Sequence, residues 1–406
     1  MQAPNRTPRG TALVLTGGGA RAAYQVGVLQ AIAQLRRQRG ARCAQAPFAI
    51  FVGTSAGAIN AAALACGADH FDAAVARIAR AWAGLHSAQV IRADRSSAIA
   101  SGARWLAWLS LGWALARWRR RHPHSLLDNQ PLAALLRELL PLERLPALVR
   151  TGRLRALAVT ASSYQTGQHV VFYEAGDALA PWARTGRKAL RCTLTHEHLL
   201  ASTAIPFVFP AVKLAVEDGR SAFFGDGAMR QTTPIAPAIH LGAERVLVVG
   251  SGPMSAQDAP RAPADPPYPP LAQVAGQALS NIFIDALADD AERVVRVNQV
   301  LSLMPPEARE QSSWRPVELL LLAPSIAPEQ IATRHLNALP TAMRTLLSTL
   351  GEHAASASEG GGHLASYLLF EARYTQELMA LGYADTLARR AELCDFFDWH
   401  TRPGRP

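Results

Sequence analysis

Lysine is almost missing from this chain. Lys188 and Lys213 are the only two among 41 Lys and Arg residues. No lysine follows a glycine-rich loop, which excludes a P-loop nucleotide site. Cysteine is scarce too. Cys43, Cys66, Cys192 and Cys394 lie far apart, with neither the spacing of a disulfide framework nor that of a metal site. A reduced, cytoplasmic protein without metal or cofactor is the expectation. Long apolar runs are also lacking. Before the first glycines only Ala12 to Leu15 is continuously apolar, too short for a secretory signal. Acidic residues number 31, leaving a formal charge of +10. A coding bias toward Arg explains the total. The sharper reading is affinity for an anionic surface, membrane or nucleic acid; of these, a peripheral contact with an anionic membrane surface is the expectation, with no nucleic acid partner.

What remains is globular. The 406 residues are 49% hydrophobic, enough to bury one large core or two. Short apolar runs alternate with helical spacing. Ala12 to Thr16 reads as a buried strand, and Ala22 to Leu35 as a helix with Val26, Leu29, Ile32 and Leu35 on one face. Phe48 to Val52 repeats the strand, followed by an Ala-rich helix. "LRALAVTASSY" and "HVVFYE" read as paired strands. "ERVLVVGSG" and "VELLLLAPS" read as two more. This alternation predicts an α/β fold: helices around a central, mostly parallel sheet, with a helical C-terminal extension. The expected division is a strand–helix body over 11–252, a Pro-rich linker or loop over 253–270, and a mostly helical region over 271–406 packing on that body.

One segment, Ser97 to Arg121, carries Trp105, Trp108, Trp113 and Trp118 and closes on Arg117 and Arg119 to Arg121. Its apolar part, Leu106 to Ala116, falls short of the about 20 residues a bilayer crossing needs. Either it is a core helix with a charged end, or it lies in an interface with Trp at headgroup depth and Arg on phosphates.

Two glycine turns carry the chemistry. In "GTSAG", Gly53 to Gly57, a strand runs straight into Ser55 and a helix runs straight out. That sharp turn projects a serine Oγ into the open, and its small neighbours suit the crowded backbone. The simpler role for Thr54 or Ser55 is a helix N-cap. The earlier turn, "TGGGARA", places Gly17, Gly18 and Gly19 where backbone N–H groups could turn outward onto an oxyanion, with Arg21 supporting the loop or the charge. A dinucleotide loop is the competing reading. Ala22 stands in place of its last glycine, and no acidic residue ends a second strand at about 20 residues' distance. In "FFGDGA", Asp226 sits between Gly225 and Gly227 and could approach a partner closely. An isolated turn aspartate is its simpler role. His240 would be a histidine base, but its position on an apparent helix suits packing better.

"GGGARA", "GTSAG" and "DGA", in this order and with "ASTAIPFVFPAV", resemble the patatin-like phospholipases over roughly Thr11 to Gly252. That resemblance implies lipid acyl hydrolysis by a Ser–Asp dyad through an acyl-enzyme. Ser55 would be the nucleophile and Asp226 the proton acceptor, while Gly17, Gly18, Gly19 and Arg21 would form the oxyanion-hole motif. Gly53, Gly57, Gly227 and Ala228 complete the motifs. The substrate implied is a phospholipid or another acyl-ester lipid, with no metal and no cofactor. Ala22 and Ala228 depart from the commonest pattern of the family, which accommodates DGA. Acyl transfer to an alcohol, or a membrane-associated regulator with little turnover, are the alternatives.

Overall fold

The computed structural model describes residues 10–38, 46–92, 125, 127–216, 219–253, 273–274, 276–277, 286–349 and 362–399. The Trp- and Arg-rich segment Ser97 to Arg121, Cys43, and all of the Pro-rich stretch after Pro253 lie outside them. Ten strands form one sheet: β1 (Thr11–Leu15), β2 (Ile50–Thr54), β3 (Ala156–Ser163), β4 (His169–Ala175), β5 (Ala183–Arg184), β6 (Arg187–Arg191), β7 (Val212–Ala215), β8 (Ser221–Asp226), β9 (Arg245–Val249) and β10 (Glu318–Leu322). The order is β10-β9-β1-β2-β3-β4-β6-β5. From β10 to β3 every neighbour is parallel. β3 then pairs antiparallel with β4 as well as with β8. The sheet therefore includes a strand from the C-terminal region, β10.

Helices cover both faces. The strands are buried along almost their full length at the centre of the sheet, as parallel strands covered on both sides must be. One core joins Leu13, Leu15, Phe51 and Leu157 to helices α1 (Ala23–Gln38), α2 (Ala56–Ala65) and α3 (Phe71–Ala83). The other joins Val14, Val52 and Val248 to Ile235, Leu241 and Leu287. The alternation of these residues along β1 and β2 follows the two-residue period of a strand. The C-terminal helix Ala372–Ala388 lies against α1. A Cβ on Gly27 would stand 2.7 Å from the Met379 carbonyl carbon, and one on Gly382 3.1 Å from that of Tyr24. Glycines on both helices thus let the two backbones touch.

Strand limits shift by a residue or two from the expectation. β1 begins at Thr11 and β2 runs on to Thr54. Thr54 remains in the sheet because it pairs with Thr160, and their hydroxyls hydrogen-bond at 2.9 Å.

Candidate active site

The topology brings Ser55 and Asp226 together. β2 and β8 both pair with β3, and β4 occupies the opposite edge of β3 through Ser162. β2 and β8 therefore share one edge and meet end to end. Thr54 stands opposite Thr160, and Asp226 stands opposite Ala161, the next position along. Ser55 follows Thr54 out of the sheet at the carboxyl ends of the parallel strands, where open α/β sheets bind ligands.

Ser55 has φ 53° and ψ −130°, a left-handed conformation that strains a residue with a Cβ. The surroundings hold it there. Its N–H donates to Ser202 Oγ at 2.9 Å, and its carbonyl accepts the Ala58 N–H at 2.8 Å. A Cβ on Gly53 would lie 2.7 Å from the Ala58 nitrogen, and one on Gly57 2.7 Å from the Leu15 carbonyl carbon. Both flanking glycines are thus required by contact, and Gly57 presses α2 against the end of β1.

Asp226 is 1% exposed. Its N–H donates to the Ala204 carbonyl at 2.9 Å, and its Oδ1 accepts the Ala228 N–H at 2.9 Å. Oδ2 is buried without a completed hydrogen bond, while the Ser55 side chain lies near enough to favour the carboxylate. A contact of this kind, close but not fully formed, suits a hydroxyl that tightens onto its base only when substrate arrives. Burial pushes the Asp226 carboxyl up to about 7, against the pull of Ser55 and the Ala228 N–H. A carboxylate poised near neutrality matches general-base work. Gly227 packs on Thr160, and the buried His169 ring lies near the Gly227 backbone. Burial holds that imidazole neutral, down to about 4.

The glycine loop runs from β1 into a short 3-10 turn, Gly19–Ala22. The Ser251 hydroxyl donates to the Gly17 carbonyl. Gly19 has φ +55°, which a glycine adopts without strain. Behind the loop, Gln25 Nε2 donates to the Thr16 carbonyl at 2.8 Å, Asn60 Nδ2 donates to Gln25 Oε1 at 3.0 Å, and Trp82 Nε1 donates to Asn60 Oδ1 at 2.8 Å. This buried chain ties the loop to α1, α2 and α3.

Gly19 and Ser55 open onto one apolar cavity of about 470 Å³, within the range of small-molecule sites. Ile59, Ala63, Ile78, Leu132, Leu136 and Phe209 are among its walls. Arg21 is not among them. Its guanidinium is fully buried on the side of the C-terminal region and pairs with Glu329 at 2.9 Å. His240 ends the helix Ala236–His240 and stacks on Trp182, with ring centroids 4.9 Å apart. Among the described residues no group of three or more His, Cys, Asp or Glu could hold a metal ion. Asn60 and Gln25 carry no signal in the sequence, and the role of Ser202 within "ASTAIPFVFPAV" is not legible there, since each acts through a contact set by the fold.

A serine on a sharp strand-to-helix turn at the strand ends, opening on an apolar chamber, is an arrangement fit for acyl transfer chemistry. A family model described as patatin-like phospholipase matches residues 13–239, more than half of the chain, and the chain belongs to that family. No match is found among curated proteins. Among solved structures the chain is similar to VipD from Legionella pneumophila, at 14% identity and a TM-score of 0.32, covering 92% of this chain and 67% of VipD. It is also similar to human GIVD cytosolic phospholipase A2, at 12% identity and a TM-score of 0.44, covering 96% of this chain. It spans 60% of the length of that human protein.

Proposed function

We propose that this chain is a serine acyl hydrolase cleaving fatty acyl esters of phospholipids or related lipids. The observation that carries the reading is the meeting of Ser55, strained and exposed to the cavity, with the buried carboxyl of Asp226 at adjacent positions along β3. Asp226 accepts the proton of Ser55 Oγ as that oxygen attacks the ester carbonyl. The resulting oxyanion is held by N–H groups of the Gly17–Gly19 loop, beside the positive end of α2. The leaving alkoxide takes up the proton, and water, activated by Asp226, then hydrolyses the acyl-enzyme. Arg21 belongs to this machinery through the loop and not by touching the oxyanion, since its guanidinium turns away from the cavity onto Glu329 and Ser366.

The cavity supports an acyl chain as the bound part of the substrate. Its lining is dominated by Leu, Ile, Ala and Phe side chains, and each buried methylene contributes about 0.8 kcal/mol. A peripheral contact with anionic lipid through Arg117 and Arg119 to Arg121 completes the reading. No helix among the described residues is long and apolar enough to cross a membrane. The test is hydrolysis of a long-chain acyl ester by the parent, Ser55→Ala and Asp226→Asn. Both variants should lose turnover by a factor of about 10³ or more. Residual activity within tenfold of the parent in either variant rejects the dyad.

A further inference from the structure

Burying a guanidinium is costly unless its charge is paired and its donors are used. Arg21 is paired and uses Nε and Nη2, with partners remote from the loop it follows, while Nη1 is buried without a hydrogen-bond partner. Nη2 donates to Glu329 Oε1 at 2.9 Å. Nε and Nη2 donate to Ser366 Oγ at 2.8 and 2.6 Å. The guanidinium carbon lies 3.8 Å from the centroid of the Tyr367 ring. The nearest of these partners in sequence is 308 residues away, and all lie beyond the segment 13–239 that matches the family model. The backbone makes a second contact at the same place. A Cβ on Gly19 would stand 3.1 Å from the Tyr367 carbonyl carbon, so the short helix Ala365–Leu368 packs directly on the glycine loop.

We propose that this clamp sets the conformation of the Gly17–Gly19 loop, which makes Glu329 and Ser366 positioning residues for its N–H donors. A run of three glycines has little conformational preference of its own. The direction of its N–H groups must be fixed by what it packs against. On one side stand Ser251 and the end of β9. On the other stands the Arg21 fork, whose planar donors fix orientation as well as distance. The C-terminal region is then a working part of the site. This inference rests on the proposed reading of the loop as the oxyanion hole.

The experiment compares the full-length parent with Glu329→Gln and Ser366→Ala. Ser366→Ala keeps the ion pair and so preserves a folded variant if Glu329→Gln does not fold. Three quantities are measured: kcat and KM on a short soluble acyl ester, amide exchange of a peptide spanning Leu15 to Ala22, and the final stoichiometry of fluorophosphonate on Ser55. Oxyanion donors act mainly in the transition state, and a misplacement of about 1 Å can lower the rate about 10²-fold. The expected result is a kcat lowered about tenfold to 10²-fold, KM within about twofold, faster exchange in the loop, and unchanged final labelling. A kcat within twofold of the parent and unchanged loop exchange, with only the melting temperature lowered, would overturn the proposal. Such a result would leave Glu329 and Ser366 as anchors of the C-terminal region alone. If the parent takes no label on Ser55, the reading of the dyad fails instead, and loop exchange still decides whether the clamp orders the glycines.

Discussion

Replacing Asp226 by Asn should abolish turnover and, above neutral pH, stabilise the fold. The carboxyl is 1% exposed, and burial raises it from its ordinary range near 4 to about 7. Below about pH 4 the group is protonated in both the folded and the unfolded chain and contributes no difference. Between about 4 and 7 the unfolded chain releases the proton while the folded chain keeps it, so stability falls as pH rises. Above about 7 the folded state carries the full cost of a buried carboxylate. The interval is about three pH units, each worth about 1.4 kcal/mol, giving at most about 4 kcal/mol. Asn keeps an acceptor for the Ala228 N–H and never ionises. His169 and His198, both held neutral by burial down to about 4, act in the opposite direction: they lose stability as pH falls below about 6.5. They are common to parent and variant, so the difference between the two melting curves isolates Asp226. For a chain of this length about 4 kcal/mol corresponds to about 5 °C. Calorimetric melting temperatures from pH 4 to 8.5 should show the variant pulling ahead as pH rises. A constant difference, or a variant less stable at every pH, would show that Asp226 is not a buried carboxyl raised toward neutrality.

Other perturbations separate the remaining parts of the account. kcat/KM of the parent should fall as pH drops through about 7, because Asp226 must be ionised to accept a proton; a profile flat from 5 to 8 removes it as the base. His240→Ala should retain most activity, since its ring stacks on Trp182, and a loss matching that of Asp226→Asn would require a histidine in the mechanism. Ala63→Phe, filling the cavity wall, should raise KM for long acyl esters while sparing acetyl esters, as compared by initial rates; equal effects on both would place the acyl chain elsewhere. Gln at Arg119, Arg120 and Arg121 together should weaken flotation with anionic vesicles, each arginine contributing about 1 kcal/mol, and equal flotation rejects the interfacial reading of that segment.

The parts of this architecture legible in the sequence are those that act locally. The strand before Ser55 and the helix after it are adjacent in the chain, and the small residues at Gly53 and Gly57 mark a close approach that any chain must make there. The glycines before α1 are legible for the same reason, and the alternation of strands and helices predicts the parallel half of the sheet. Other features depend on contacts that no local pattern encodes. Nothing near Asp226 announces that β8 runs antiparallel to β3 and meets the end of β2. Arg21 illustrates the limit best. Its place beside the glycines suggests a partner in the loop, but its side chain leaves the loop for Glu329 and Ser366, because only the fold brings an acid to that spot. Ser202 lies within a stretch that carries family resemblance, but its hydrogen bond to the Ser55 N–H depends on how the helix His196–Ser202 packs under the turn.

The central claim is that Ser55 forms the covalent intermediate with Asp226 as its base. The most direct measurement is peptide mass spectrometry after brief exposure to a fluorophosphonate, on the parent, Ser55→Ala and Asp226→Asn. One adduct is expected, on the peptide containing Ser55, absent in Ser55→Ala and formed much more slowly in Asp226→Asn. An adduct on Ser202 or on any other serine, or labelling at an undiminished rate in Asp226→Asn, would contradict it.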